Sequence, residues 1–261
     1  MDLRALHDLS VSAAREAGAA IRSLYQDAVI LRDKGDDNPL TEADLAADAI
    51  LEGRLRHVIP DAGWLSEETG DDLSRLGKPA CWIIDPLDGT KEFTKGIPEF
   101  VVSIALVVGA EAAVGVLYNP ITDELFSGIV GVGAWLNGQP ISCTRHGELQ
   151  GARVVCSRTE TSKGWFDPWK DQLNLIPTGS VAFKFGLVAA GRAEATFTNQ
   201  PRNAWDIAGG VAIVNAAGGR CTNRHGQPYR FNQPDPLQDG VCCTNGALHD
   251  KILDVMKQHK G

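Results

Sequence analysis

The chain of 261 residues has no run of lysine and arginine, no Cys-x-x-Cys pair and no apolar stretch of membrane-spanning length. Each absence removes a class of function. With 25 Lys and Arg against 33 Asp and Glu, the net charge is −8. A nucleic-acid polymer, which requires a basic face, is therefore a poor partner. The six cysteines, Cys81, Cys143, Cys156, Cys221, Cys242 and Cys243, show no Cys/His spacing that suits zinc. Most lie in apolar runs and read as free buried thiols in a reducing compartment. Adjacent Cys242 and Cys243 are the one candidate redox pair. No membrane span is expected, and Met1-Asp2-Leu3-Arg4 opens an amphipathic segment, not a signal peptide. The expectation is a cytoplasmic protein, monomer or homodimer.

What is present is a globular composition, 43% hydrophobic and 22% charged. The length allows one large domain or two intimate halves. One stretch organises the chain: Trp82-Ile83-Ile84-Asp85-Pro86-Leu87-Asp88-Gly89-Thr90-Lys91-Glu92-Phe93. Trp82 to Ile84 read as the end of a buried strand. Pro86 bars Asp85 from helical geometry, so Asp85 and Asp88 are held on a stiff loop where they converge. Gly89 admits a ligand close to the backbone. Gly89, Thr90 and Lys91 open a helical turn whose N–H groups suit an anion. Two carboxylates beside an anion site point to a divalent metal and a phosphate. The competing reading is a turn with a capping aspartate.

Asp-Pro-Leu-Asp-Gly-Thr resembles the signature of the inositol monophosphatase-like, lithium-sensitive phosphatases. Its continuation, Lys91-Glu92-Phe93, resembles the CysQ-type bisphosphate nucleotidases, which remove the 3′-phosphate of adenosine 3′,5′-bisphosphate. Further segments spread the likeness along the chain. Pro39-Leu40-Thr41-Glu42-Ala43-Asp44 is similar to a family segment whose aspartate bonds the threonine of the signature, here Thr90, and helps polarise an attacking water. On its own, Thr41-x-x-Asp44 fits a capping box, and the two roles can coexist because a cap needs one carboxylate oxygen. Glu67-Glu68 resembles an element whose first glutamate ligates metal and holds the nucleophilic water, with Glu68 supporting it. Read alone, the pair is a solvated strand end. Trp205-Asp206-Ile207-Ala208-Gly209-Gly210 resembles the second family motif, which makes Asp206 a ligand of a second metal. Its plain alternative is a cap or dipole partner at a helix start. Gly179-Ser180 and Lys184 resemble a segment lying near the nucleotide, and read alone they are a capped helix with a surface lysine. Ser157, Arg158 and Arg192 are further contact candidates. Lys34 is either a neutralising charge near the metals or an exposed loop lysine.

The resemblance thus implies metal ligands Glu67, Asp85, Leu87 (by its carbonyl), Asp88 and Asp206. It implies water activation by Glu67 and Thr90 with Asp44, and substrate contacts from Glu67, Leu87, Asp88, Gly89, Thr90, Ser180, Lys184 and Asp206. Hard oxygens favour Mg2+ over zinc. Two or three ions are implied, with Asp85 bridging and Li+ inhibitory. The substrate would be a small phosphorylated nucleotide. An inositol or sugar monophosphatase with the same metal site is the enzymatic rival, and a non-catalytic phosphate- or metal-binding protein is the reading from another class.

The remaining pattern sets the frame. Residues 3 to 26 read as an amphipathic helix, and a second follows Thr41, with Ala47, Leu51, Leu55 and Val58 on its apolar face. Residues 69–79 are polar and glycine-containing and read as a mobile surface loop able to close over substrate. Runs at 101–108, 113–118, 124–129 and 134–141 predict an antiparallel sheet, the last folded at Asn137-Gly138. Gly131-x-Gly133 reads as a turn, since no strand–turn–helix unit surrounds it. A polar stretch from Thr144 to Gly151 divides residues 1–146, an α+β half with most of the ligands, from residues 147–261, an α/β half. In the second half, strands are expected at 153–156, 175–176, 194–198 and 241–244. Helices are expected from Ser180 to Gly191, over 205–217, and over 247–259. The alternation predicts a layered α/β protein. The α/β/α/β/α sandwich, as a topology, is what the resemblance implies.

Overall fold

The structure is a computed structural model and describes residues 1–25, 29–33 and 39–258. Lys34 and the end of the last predicted helix at His259 lie outside the described residues.

Helix α1 (Leu3–Ser23) buries Leu6, Ala13, Ala17 and Ile21, the residues whose spacing predicted it, and Asp2 caps it through the amides of Arg4 and Ala5. Strands β1 (Ile30–Asp33) and β2 (Pro39–Thr41) pair antiparallel. Helix α2 (Glu42–Leu55) begins at the predicted capping box of Thr41 and Asp44. It stops before Val58, which is 44% exposed and not on the apolar face.

A seven-stranded sheet follows: β3 (Gly63–Ser66), β4 (Ala80–Asp88), then across the short helix α3 (Thr90–Thr94) to β5 (Val101–Val108), β6 (Glu111–Asn119), β7 (Glu124–Ile129), β8 (Gly133–Leu136) and β9 (Gln139–Ile141). The strands lie in sequence order, β3–β4 parallel and every later pair antiparallel. The predicted turn at Asn137-Gly138 has φ of 50° and 78° and joins β8 to β9, as a two-residue hairpin requires.

The second half adds β10 (Arg153–Ser157), the short helix α4 (Arg158–Ser162), β11 (Asn174–Thr178), α5 (Val181–Ala189), β12 (Ala195–Thr198), β13 (Arg202–Asn203), α6 (Ala204–Ala216), β14 (Arg220–Thr222), β15 (Leu237–Gln238), β16 (Val241–Thr244) and α7 (His249–Gln258). Its main sheet has the order β11-β10-β12-β16-β14. Short α4 and β14 were not predicted. At five and three residues, each is below the length at which periodicity gives a signal.

Period-two alternation assembles the layers. On β4, Trp82 and Ile84 enter one core with α1 and α2, while Cys81 and Ile83 enter another with α5 and α6. On β5, Val102, Ile104 and Leu106 take the first side and Val101, Ala105 and Val107 the second. A third core joins β10, β12 and β16 to α7. The order is α1/α2, first sheet, α5/α6, second sheet, α7: the layered sandwich. The central layer is tight. A Cβ on Gly115 of β6 would lie 2.1 Å from the Gly209 carbonyl, and one on Gly210 would lie 2.5 Å from Phe185 of α5. Close approach of the neighbouring element, the α6 backbone to Gly115 and the Phe185 side chain to Gly210, is thus the reason for glycine at 115 and 210, and a Cβ on Gly209 would likewise lie 3.0 Å from the Ile104 carbonyl.

The six cysteines are free thiols, five of them buried. Cys242 and Cys243 alternate between two cores, and burial raises both thiols well above their usual range. Among the described residues, no helix is long and apolar enough to cross a membrane.

Candidate active site

The acids of the signature stand on a bulge. Strand β4 does not end at Ile84 as predicted; it continues to Asp88, with the register against β5 slipping between Asp85 and Asp88. Asp85 pairs with Ser103 and Asp88 with Val101, which leaves the two residues Pro86 and Leu87 opposite the single residue Val102. A bulge re-aims side chains, and proline tolerates one because it has no N–H to lose. Gly89 follows at φ 102°, where a Cβ would meet the Glu99 carbonyl at 2.9 Å.

Three more elements deliver acids to this point. Glu67 comes directly off the end of β3, its amide bonded to the Ile84 carbonyl at 3.2 Å. Asp206 lies in the first turn of α6, whose start is tied to β5 by the Ser103 hydroxyl donating to the Trp205 carbonyl at 3.3 Å. Carboxylate oxygens of Glu67, Asp85 and Asp206 all lie within 4.8 Å of one another. Asp44 sits behind Thr90.

Each aspartate commits one oxygen to main chain. Asp44 Oδ2 accepts from the Thr41 amide at 2.8 Å and hydroxyl at 2.6 Å, while Oδ1 accepts from the Thr90 hydroxyl at 3.0 Å. Capping and support of Thr90 therefore coexist in one carboxylate. Asp85 Oδ1 accepts from the Leu87 amide at 3.0 Å, and Asp206 Oδ2 from the Asn203 amide at 3.0 Å. Asp88 Oδ2 accepts from the Ala182 amide at 2.6 Å and from the Ser180 hydroxyl. Among the described residues no donor is bonded to the second oxygens of Asp85, Asp88 and Asp206.

Like charges at close range oppose ionisation. Burial first, then the carboxylates of Glu67, Asp88, Asp206 and Asp44, raise Asp85 well above the usual range. Burial, then Asp88 and Glu67, do the same to Asp206. Asp88 is pushed up to about 6 by burial, against the opposing bonds from Ser180 and Ala182. Hard oxygens that repel one another, with lone pairs to spare, fit a divalent cation such as Mg2+ or Ca2+ and do not suggest zinc.

These residues line a cleft of about 260 Å³ that also includes Leu87, Gly89, Thr90 and Lys91. A second cavity of about 200 Å³ opens beside it. Asp88, Gly89, Lys91, Val181 and Arg202 line both, so the two adjoin. Ser157, Arg158, Ser180 and Lys184 line the second. Lys184 is not the surface lysine of the plain reading. It is 7% exposed, and its ammonium donates to the Ser180 carbonyl at 2.7 Å and the Thr178 carbonyl at 3.4 Å. Arg158 is held by Glu99. Glu68 lies beside Glu67 without lining the cleft. Arg192 pairs with Glu124 and lines neither cavity.

The loop at 69–79 lines neither cavity. Arg75, 1% exposed, forks onto Asp71 and donates to the Asn232 side chain at 3.0 Å and the Gln233 carbonyl at 2.9 Å. The structure thus ties this loop down where the sequence suggested a mobile cover.

Sequence reasoning missed four residues here. Arg202 stands at the junction of the cavities, bonded at 3.3 Å to buried Glu160. Glu99 accepts from the Gly179 amide at 2.6 Å and joins the halves at the cavity wall. Asp48, one turn beyond Asp44, accepts from Ser66 at 2.6 Å and Thr69 at 3.1 Å, bracing the segment that carries Glu67. No local pattern marks Arg202, Glu160 or Glu99. Asp48 had one signal: an acid at i+4 from Asp44 on the buried side of α2.

Comparison with known proteins identifies the family and the fold. The family model described as "Inositol monophosphatase family" matches residues 2–260. Inositol monophosphatase 3 of Solanum lycopersicum is 34% identical over 262 residues, covering 96% of each chain. Among solved structures, the extragenic suppressor protein suhB of Bartonella henselae superposes with a TM-score of 0.86 at 28% identity, covering 97% of this chain and 99% of that one. CysQ of Bacteroides thetaiotaomicron, described as a bacterial member of the inositol monophosphatase family, superposes with a TM-score of 0.77 at 30% identity over 93% and 97% of the two chains.

Proposed function

The chain belongs to the inositol monophosphatase family, and on that premise we propose that it is a Mg2+-dependent phosphomonoesterase whose preferred substrate is adenosine 3′,5′-bisphosphate, hydrolysed at the 3′-phosphate to AMP and phosphate. 3′-Phosphoadenylyl sulfate and the 2′,5′ isomer belong to the same substrate class. The observation that carries the nucleotide reading is the second cavity. It adjoins the acidic cleft, and Lys91 and Arg202 line both; in this reading it receives the alcohol of the ester. An alcohol bearing its own phosphate is matched by those cations; a neutral polyol is not.

Glu67, Asp85, Asp88, Asp206 and the Leu87 carbonyl would hold Mg2+, which on binding lowers the pKa of a water and neutralises phosphoryl oxygen charge. Lithium is expected to inhibit. The rest is performed by the chain. Thr90 Oγ1 donates to Asp44 at 3.0 Å or to the Leu87 carbonyl at 2.9 Å. Its lone pairs then accept from a water in the cleft, and Glu67 takes the second hydrogen of that water. Asp44, anchored by Thr41, keeps Thr90 oriented for this acceptance. Gly89 and Thr90 present backbone N–H groups to the phosphate. Lys91 and Arg202 orient the ester so that its alcohol faces the second cavity. Water is the nucleophile, and no covalent phosphoenzyme is needed.

A second reading rests on the relatives, several of which carry the name inositol monophosphatase. In that reading the cleft is unchanged and the alcohol is an inositol. Phosphate release from adenosine 3′,5′-bisphosphate and from inositol 1-phosphate, with Mg2+ and with EDTA, separates the two. The expected result is a kcat/KM at least tenfold higher for the nucleotide, abolished by EDTA. A preference for inositol 1-phosphate overturns the nucleotide assignment, and release unaffected by EDTA overturns the metal site.

A further inference from the structure

Ser180 has φ 54° and ψ 129°, a backbone conformation that L-residues other than glycine rarely adopt. Such a residue persists when its surroundings over-determine it. Here five groups do so. The Lys184 ammonium bonds the Ser180 carbonyl at 2.7 Å. The Ser180 hydroxyl accepts from the Phe183 amide at 2.9 Å and donates to Asp88. The preceding Gly179 amide donates to Glu99 at 2.6 Å. Gly89 leaves the Ser180 side chain its room, since a Cβ there would lie 3.1 Å from Ser180 Cβ. Ser180 and Ala182 in turn fix one oxygen of Asp88.

We propose that Lys184 is a positioning residue: it locks the left-handed turn at Ser180, and through Ser180 it fixes the carboxylate of Asp88 at the cleft. The sequence suggests instead a direct contact between Lys184 and substrate. The geometry argues otherwise. The ammonium is pinned to two main-chain carbonyls, that of Thr178 at the end of β11 and that of Ser180 at the cap of α5, and both bonds would be lost if it swung into the cavity. Burial lowers the ammonium from its usual range, the nearby Asp88 and Glu92 carboxylates oppose that shift, and the two carbonyls satisfy the ammonium without a ligand. The wall of the alcohol cavity and the cation cleft are then one device, with Ser180 as the shared part.

The inference takes from the preceding reading only that Asp88 is a cation ligand. Its test compares K184M, K184Q, S180G and the double variant K184M/S180G with the unaltered chain. Three readouts apply: amide hydrogen exchange of Ala182 and Phe183 in EDTA, Mg2+ affinity by calorimetry, and kcat/KM for adenosine 3′,5′-bisphosphate and adenosine 3′-monophosphate. K184M is expected to speed exchange at both amides at least tenfold, to weaken Mg2+ about tenfold, and to lower kcat for both esters by the same factor. K184Q, uncharged but able to donate to the Ser180 carbonyl, recovers most of each loss. In the S180G background, where glycine accepts the turn unaided, adding K184M changes Mg2+ affinity less than twofold.

Unchanged exchange and Mg2+ affinity, with a loss confined to KM for the bisphosphate, would overturn the proposal and make Lys184 a substrate contact. If K184M fails to fold, K184Q decides alone. Near-normal exchange and equal effects on the two esters support positioning, whereas a loss specific to the bisphosphate overturns it. D88N serves as control. Mg2+ affinity unaltered by D88N removes Asp88 from the metal site, while the exchange data still judge the link from Lys184 to Ser180.

Discussion

Asp44 and Asp206 occupy equivalent places, the third residue of α2 and of α6. Each closes the start of its own helix with one oxygen. A capping position makes a good catalytic position for a physical reason. The cap fixes the rotamer, so the second oxygen is aimed without further support. Thr90 depends on this arrangement. Replacing it by valine removes the hydroxyl that donates to Asp44 inside a buried pair. T90V is expected to lower kcat about 100-fold, in the range for loss of a positioned proton-transfer group, and stability by roughly 1–2 kcal/mol. T90S should restore most of both. Steady-state kinetics with thermal melts of the two variants checks this, and full activity in T90V would remove Thr90 from the mechanism. At this scale the capping box of Thr41 and Asp44 and the stiff Asp85-Pro86-Leu87-Asp88 loop were legible from local chemistry, while the roles of Thr90 and Asp206 came from the likeness of their motifs to the family's, since the Asp44–Thr90 and Asp88–Ser180 bonds span 46 and 92 residues. Arg202 and Glu99 were not legible, since their partners are 42 and 80 residues away, and no local pattern records such pairs.

Among elements, α6 matters most, because it carries Asp206 into the cleft and is packed between two sheets. Its apolar, glycine-bearing sequence, Ala204–Ala216, is that of a helix buried on all sides. The helix and its end at Gly218-Gly219 were readable from composition. The contact that sets its height above the first sheet was not, for it is a meeting of Gly115 with Gly209, and a lone glycine in a strand does not name its partner. G115A is expected to cost ~3 kcal/mol or more, because a Cβ 2.1 Å from a carbonyl forces the helix away. Since Asp206 moves with α6, Mg2+ affinity should fall as well. Chemical denaturation and Mg2+ calorimetry on G115A test the two consequences. A change in stability alone would show that the start of α6 is held by the Ser103 bond and not by its packing. Strands β5 and β7 were predicted to the residue, because alternation and turn residues agree there. The extension of β4 through Asp85 to Asp88 was not, because a proline in a strand pattern normally argues for its end.

For the whole molecule, the layers were legible from the order of strand and helix patterns, and the joints between them were not. Arg75 is one such joint. It crosses from the loop after β3 to Asn232 and Gln233 in the second half, and Asn232 donates back to the Arg75 carbonyl at 3.1 Å. Sequence placed this residue in a polar, mobile loop, because polar composition does not distinguish a solvated arginine from one satisfied by partners 157 residues away. R75M leaves Asp71 and two further acceptors without their buried donor. It is expected to destabilise the fold by about 3 kcal/mol while kcat changes less than twofold, since no residue of 69–79 lines either cavity. Urea denaturation and turnover of R75M decide it. A large loss of kcat at unchanged stability would return the loop to the role of a cover.

The scattering of the acids along the chain carries one more consequence, and it concerns time. Glu67 and Asp206 stand 139 residues apart, on elements that meet only when α6 docks on the first sheet. Closing so long a loop is entropically uphill until that docking is complete. The repulsion between Glu67 and Asp85 comes with the pairing of β3 and β4, whereas the share that Asp206 adds arises only when α6 docks, after the first sheet has formed. By the same order of events, a cation that relieves the repulsion slows the opening of the finished protein far more than it hastens its assembly.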